Sequence, residues 1–320
     1  MFVRRLSRRH FGAVTTASLL ALAVPAWAED DSDNDDADNK ENTDTDSSAG
    51  GIAVGNGERT VTVGGKSLRL FTYKPPAYVD GPMVIVCHGV QRNAGTYRNN
   101  ARVIANRHDA LIVAPEFDRE QFSRVDYQSA GIGDGLRVAH GGWMTDMLRR
   151  VVDEVREQED RPDMPVFLIG HAAGAQFVMK FAAFDTLGFR RIVAANASSY
   201  LLPTREVAFP YGFGALPASH SDEAAIARYL AAPLTLYLGT EDRLEREARW
   251  VREDLDDSAA ARAQGASPYE RGLRSFDFAR SVAADKGVSF GWRLVEAPGV
   301  SHTSKQMFES RQSSVALFGV

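Results

Sequence analysis

Four uninterrupted apolar runs constrain this chain more than any other feature. They are Met83–Gly89 (MVIVCHG), Ala110–Phe117 (ALIVAPEF), Met164–Gly170 (MPVFLIG) and Ala232–Gly239 (APLTLYLG). A strand with one wet face alternates apolar and polar residues; a strand without alternation is covered on both faces, which is the condition of a parallel sheet between helices. FRRIVAANASS (Phe189–Ser199) and VSFGWRLVEAPG (Val288–Gly299) read as two further strands. Between the runs lie stretches of helical period, about Thr96–His108, Met144–Gln158 and the residues from Ala172 onward, with a closing helix over 302–316. Before them, ERTVTVGGKSLRLFTYKPP alternates about Gly64-Gly65 and predicts an antiparallel hairpin. Strands alternating with helices predict an α/β fold with right-handed crossovers in one domain, residues 58–320, without internal repeats.

The ends of the chain's charge distribution are unequal. Residues 1–28 carry +4, residues 29–46 carry −9, and the remainder is neutral against a total of −5. A neutral body gives no footing for nucleic acid. The first 28 residues have a basic start, an apolar stretch from Gly12 to Val24 and Ala26-Trp27-Ala28 before Glu29. This reads as a cleavable signal peptide, and Ser7-Arg8-Arg9-His10-Phe11 resembles the twin-arginine motif, so the expected location is periplasmic or secreted. The apolar stretch is shorter than the roughly 20 residues that span a bilayer, so no stable membrane anchor is expected. Residues 29–57, acidic and nearly free of apolar side chains, predict a disordered linker. The single cysteine, Cys87, lies inside an apolar run and reads as a small buried hydrophobe.

In an open α/β sheet, chemistry collects at the carboxyl ends of the strands. Here those ends read His88-Gly89-Val90-Gln91, then Gly170-His171-Ala172-Ala173-Gly174, then Leu238-Gly239-Thr240-Glu241-Asp242, then Gly299-Val300-Ser301-His302. The second has the glycine spacing of a G-x-S-x-G nucleophile elbow, with alanine at the serine position. The order of nucleophile position, acid and histidine is that of an α/β-hydrolase.

With HGVQRNAGTYR (His88–Arg98), GHAAG, LGTED and GVSH at four strand ends in this chain order, the chain resembles the α/β-hydrolases of the secreted bacterial esterase type, including poly(3-hydroxybutyrate) depolymerase-like proteins. The resemblance implies an α/β-hydrolase fold, a mostly parallel central sheet with helices on both faces. It implies His302 as general base, Asp242 as its orienting acid in preference to Glu241, and the backbone amides of Val90 and Ala173 as the oxyanion hole. His88 and Gly89 would shape that loop and Arg92-Asn93 would tie it down. Ala172 departs from the pattern, because a methyl group cannot attack a carbonyl. Ser198, Ser199, Ser301 and Cys87 are not placed to stand in, and His171 is expected to point away from the pocket. The implied partner is a small-molecule or polymeric ester, either hydrolysed or, if Ala172 is taken at face value, bound by a non-catalytic descendant of the enzyme. The loop after Phe117 and the segment after Ser199 flank the pocket and bring Phe117, Tyr127, Trp143, Tyr200, Phe209, Tyr211 and Phe213 near its rim, where they either stand exposed, as would suit a polyester or aryl ester, or, as is more expected of most of them, pack the insertion onto the sheet. No phosphate loop, dinucleotide fingerprint or metal-ligand set is present, so no cofactor is implied, and no motif bears on oligomeric state.

Overall fold

In the computed structural model the apolar runs become neighbouring strands of one eight-stranded sheet, ordered β1-β2-β4-β3-β5-β6-β7-β8. The structure describes residues 51–63, 65–132, 144–185, 187–243 and 255–320. The expected signal peptide, residues 29–50 of the expected linker and Trp143 lie outside them. β1 (Gly55–Val63) and β2 (Lys66–Lys74) form the expected hairpin, and β2 pairs antiparallel with β4 (Leu111–Glu116). β3 (Met83–Cys87), β4, β5 (Val166–His171), β6 (Arg191–Ala195), β7 (Leu234–Gly239) and β8 (Arg293–Ala297) are mutually parallel. Every residue of β3 and β7 is buried, which is why neither run alternates. β8 is one of the sheet's two edges and is only partly covered. The folded body also reaches further back than Glu58, because β1 starts at Gly55 and Ile52 packs into the core.

The helices divide between the two faces. One face is covered by α1 (Ala94–His108) together with the last two helices, α9 (Ser304–Glu309) and α10 (Gln312–Phe318). The other carries α2 (Arg124–Gln128), α3 (Met144–Gln158), α4 (Ala173–Phe184) and α6 (Glu223–Ala231), and also α8 (Pro268–Lys286). Two short helices, α5 (Ala218–Ser221) and α7 (Ala259–Gln264), complete the described set.

Two expectations change in detail, and a short helix joins the described set. The predicted closing helix over 302–316 is two helices broken at Ser310-Arg311. The final strand is shorter than Val288–Gly299, because Val288–Trp292 forms a connection in which the Trp292 indole donates to the Tyr229 carbonyl at 2.8 Å. The short helix is α2, in the polar segment after Phe117, where Ser123 accepts from the Asp126 amide and caps it.

Candidate active site

The elbow is built by two glycines and one strained alanine. A methyl on Gly170 would come within 2.1 Å of the Gly174 carbonyl oxygen, and a methyl on Gly174 within 2.3 Å of the Cys87 carbonyl oxygen. Only glycine at both positions lets α4 start directly against the ends of β3 and β5. Between them Ala172 adopts φ 54°, ψ −115°. This region is rarely populated by residues with a Cβ and costs about 1–3 kcal/mol. The Ala172 amide donates to Ala195 at 3.1 Å and its carbonyl accepts from Ala175 at 3.1 Å, so both neighbours hold the strain in place. The half-buried Ala172 side chain stands where a nucleophile would emerge.

Asp242 and His302 meet as the sequence order implies. His302 Nδ1 lies 2.9 Å from Asp242 Oδ2, both side chains buried. An Nδ1–H donated to the carboxylate leaves Nε2 as the ring's basic nitrogen. The two loops are laced together. Glu241 N donates to the Val300 carbonyl at 2.9 Å, Thr240 N to Ala297 at 3.1 Å, and Gly299 N to Thr240 Oγ1 at 2.9 Å.

Asn196 is a residue the motif reading passed over. Its side chain accepts from Gly239 N at 2.7 Å and donates to the Ser301 carbonyl at 2.9 Å, so one amide spans the Asp242 loop and the His302 loop. Its left-handed backbone, φ 45°, at the end of β6 aims it there. An asparagine just past a buried strand is the only sequence signal it carries, and its partners are distant in the chain.

The loop after β3 is held from below. His88 Nε2 accepts from the Phe117 amide at 3.0 Å, so its proton sits on Nδ1, which donates to the Gly89 carbonyl at 2.9 Å. Burial pushes the His88 pKa down to about 3, and the ring is a neutral strut. The Arg92 guanidinium donates to the carbonyls of Phe117, Phe122 and Ser123 and lies over the Tyr127 ring. Neither the Val90 nor the Ala173 amide has an acceptor among the described residues. Arg119 donates to the Val90 carbonyl at 3.2 Å, which places a guanidinium at the outer edge of this loop.

The possible stand-ins for a serine are engaged or inert. Ser198 and Ser199 are buried and accept from Gln176 Nε2 at 3.1 and 2.6 Å. Cys87 is buried within β3, and desolvation pushes its thiol pKa far up, away from the thiolate form.

His171 is buried on the Phe167 and Ile169 face of β5, and its ring centroid is 5.1 Å from that of His302, a contact the motif reading did not foresee. Most of the aromatics near the site pack inward: Phe117 and Tyr127 are buried against Phe177 of α4, Tyr200 and Phe213 are buried as the segment after β6 folds onto the sheet, and among the described residues Phe209 and Tyr211 keep partial exposure.

A strained strand–turn–helix elbow, a buried His–Asp pair on the next loops and a supported loop after β3 define the site of an α/β-hydrolase. No family model and no curated protein matches the sequence. Solved structures do. The chain is similar to LpqC, a poly(3-hydroxybutyrate) depolymerase from Bordetella parapertussis, at 32% identity over 82% of this chain and 90% of that one, TM-score 0.72. It is similar to poly(aspartic acid) hydrolase-1 from Sphingomonas sp. KT-1 at 28% identity, over 82% and 98% of the two chains, TM-score 0.75. The siderophore hydrolase EstB from Aspergillus nidulans shares the fold at 15% identity, over 85% and 97%, TM-score 0.51. The chain belongs to the esterase and depolymerase family of α/β-hydrolases.

Among the described residues no helix is long and apolar enough to cross a membrane, and no cluster of three or more His, Cys, Asp or Glu side chains could hold a metal ion.

Proposed function

We propose that this chain is an exported serine-type ester hydrolase whose acyl-transfer site is complete except for the hydroxyl at position 172. The observation that carries the reading is the backbone of Ala172. It keeps the strained geometry that presents a nucleophile, beside a His302–Asp242 pair at hydrogen-bonding distance. Strain of this kind is retained where the surroundings over-determine it, and it serves nothing in an alanine.

With serine at 172, His302 Nε2 takes the hydroxyl proton as the oxygen attacks the ester carbonyl. Asp242 holds the ring's tautomer and stabilises the imidazolium. The Val90 and Ala173 amides donate to the oxyanion, and His302 returns the proton to the leaving alcohol; water then repeats the cycle on the acyl-enzyme. With Ala172 the covalent step has no nucleophile. Loss of the serine in such a site lowers kcat by about 10⁶-fold, so the chain as written is silent or nearly so in ester hydrolysis.

The substrate is a small-molecule or polymeric ester. A polymer is favoured by two relatives above 25% identity, a poly(3-hydroxybutyrate) depolymerase and a poly(aspartic acid) hydrolase. The basic-apolar leader and the acidic residues after it support a periplasmic or secreted location. No cofactor enters the scheme.

The second reading is a pseudoenzyme that binds its ligand in the former active-site pocket, favoured by Ala172 itself. A fluorophosphonate probe separates the two. Under the first reading Ala172→Ser gains one covalent adduct by intact-protein mass while the chain as written gains none. An Ala172→Ser protein that folds but stays unlabelled overturns it in favour of the second.

A further inference from the structure

His171 immediately precedes Ala172, and no step of acyl transfer uses it. Strand alternation in β5 sets it on the face of Phe167 and Ile169, towards α1 and the C-terminal helices. There its ring meets His302 at a centroid separation of 5.1 Å and an interplanar angle of 48°. Its Nδ1 lies 3.0 Å from the Tyr97 hydroxyl. The side chain is buried, and Nε2 has no hydrogen-bond partner among the described residues. Burial, and then the neighbouring His302, hold its pKa well below the usual histidine value, so it packs as a neutral ring.

Tyr97 extends the contact in two directions. A methyl on Gly89 would come within 2.6 Å of its hydroxyl, so the hydroxyl lies directly against the loop after β3. Its ring also meets Phe308 on α9, the helix that follows His302, at 6.2 Å. His171 and Tyr97 therefore touch the three parts that acyl transfer needs in register: the oxyanion loop, the elbow and the base.

The His302–Asp242 hydrogen bond fixes one ring nitrogen, and the packing contact from His171 bears on the imidazole ring itself. We propose that His171, anchored by Tyr97, is a positioning residue that supplies this contact and holds the His302 imidazole in the plane from which it serves residue 172. The proposal rests on the reading of His302 and Asp242 as base and acid, and its test does not depend on turnover alone.

In the chain as written, the proton between His302 Nδ1 and Asp242 Oδ2 is followed by NMR as a far-downfield line, in the parent and in His171→Leu, His171→Phe and Tyr97→Phe. The same three changes are made in the Ala172→Ser form, with kcat and KM measured on a short-chain aryl ester. His171→Leu shifts or broadens the line and lowers kcat roughly tenfold or more with KM unchanged, since misplacing a catalytic group by about 1 Å costs up to about 10²-fold. His171→Phe, which returns a flat ring, recovers most of both, and Tyr97→Phe falls between. A His171→Leu protein with the parent's line and kcat overturns the proposal. So does a His171→Phe protein that loses as much as His171→Leu. If His171→Leu does not fold, Tyr97→Phe decides, because it deletes one hydroxyl; an unchanged line and kcat there overturn the proposal. An inert Ala172→Ser with a line that still responds to His171→Leu overturns the proposed function and leaves the positioning role standing. An active Ala172→Ser with an unresponsive line does the reverse.

Discussion

Replacing Ala172 by glycine should stabilise this protein, the opposite of what the same change does at almost any ordered alanine. At φ 54°, ψ −115° the Cβ of Ala172 is in conflict with its own backbone. Relief of that strain is worth about 1–3 kcal/mol. Against it stand the entropy of a freer unfolded chain, about 0.4–1 kcal/mol, and the burial of one half-covered methyl, under about 0.8 kcal/mol. The balance favours glycine by about 1 kcal/mol, or a rise in Tm of roughly 2–4 °C for a domain of this size. Ala173 is the internal control. It is buried and helical, so Ala173→Gly should destabilise by about 1 kcal/mol. Urea unfolding of the two variants beside the parent, with unchanged m-values, measures the pair. A destabilisation of 1 kcal/mol or more by Ala172→Gly would refute the reasoning, because the elbow would then hold no strain to relieve.

Other consequences are direct. Gly174→Ala drives a methyl to 2.3 Å from a backbone carbonyl that cannot move without displacing β3, so that protein should lose several kcal/mol or fail to express folded, as read by far-UV circular dichroism. Asn196→Ala removes both hydrogen bonds between the acid and base loops; it should cost about 1–3 kcal/mol and lower kcat in the Ala172→Ser form with little change in KM. In that form Asp242→Asn should lower kcat by about 10⁴-fold, checked with the same aryl ester. The buried Lys180 has its pKa pushed down to about 7 by desolvation, from an ordinary value of 10.5, with Asp256 opposing the shift. The unfolded chain therefore binds more protons between these values, and stability gains from this group as pH rises from about 7 towards 10. Lys180→Met should flatten that slope in urea titrations at pH 7, 8 and 9, and an unchanged slope would show that the amine is solvated.

Local signals and non-local ones divided the site unequally. The buried strands were readable because continuous apolar runs have one structural use, and the elbow because two glycines four apart mark a contact no side chain survives. His302 and Asp242 followed from their order at strand ends. Ser267, Pro268, Glu270 and Gly287 also spell the start and end of α8, where Ser267 accepts from the Glu270 amide and Gly287 adopts the left-handed cap; a reading led by apolar runs passes over them. What could not be read was which side chain meets which across the sheet. Alternation places His171 on one face of β5, but nothing in the sequence says that the loop after β8 brings His302 down on it. Asn196 has the same character, its two partners lying 43 and 105 residues away. Whether the aromatics after β6 line a rim or pack inward was open in the sequence, because a cluster in an irregular segment fits both; burying a large apolar side chain is worth about 1.5–3 kcal/mol, and Tyr200 and Phe213 go inward while Phe209 and Tyr211 stay partly exposed.

The measurement that bears most directly on the whole account is the hydrolysis rate of a short-chain aryl ester by the chain as written, by Ala172→Ser, and by Ala172→Ser with His302→Ala. A complete site missing only its hydroxyl predicts a gain of several orders of magnitude on adding the serine, abolished again by removing His302. A folded Ala172→Ser protein no faster than the parent would contradict it, and would mean that the His302–Asp242 pair and the elbow are not aligned for acyl transfer.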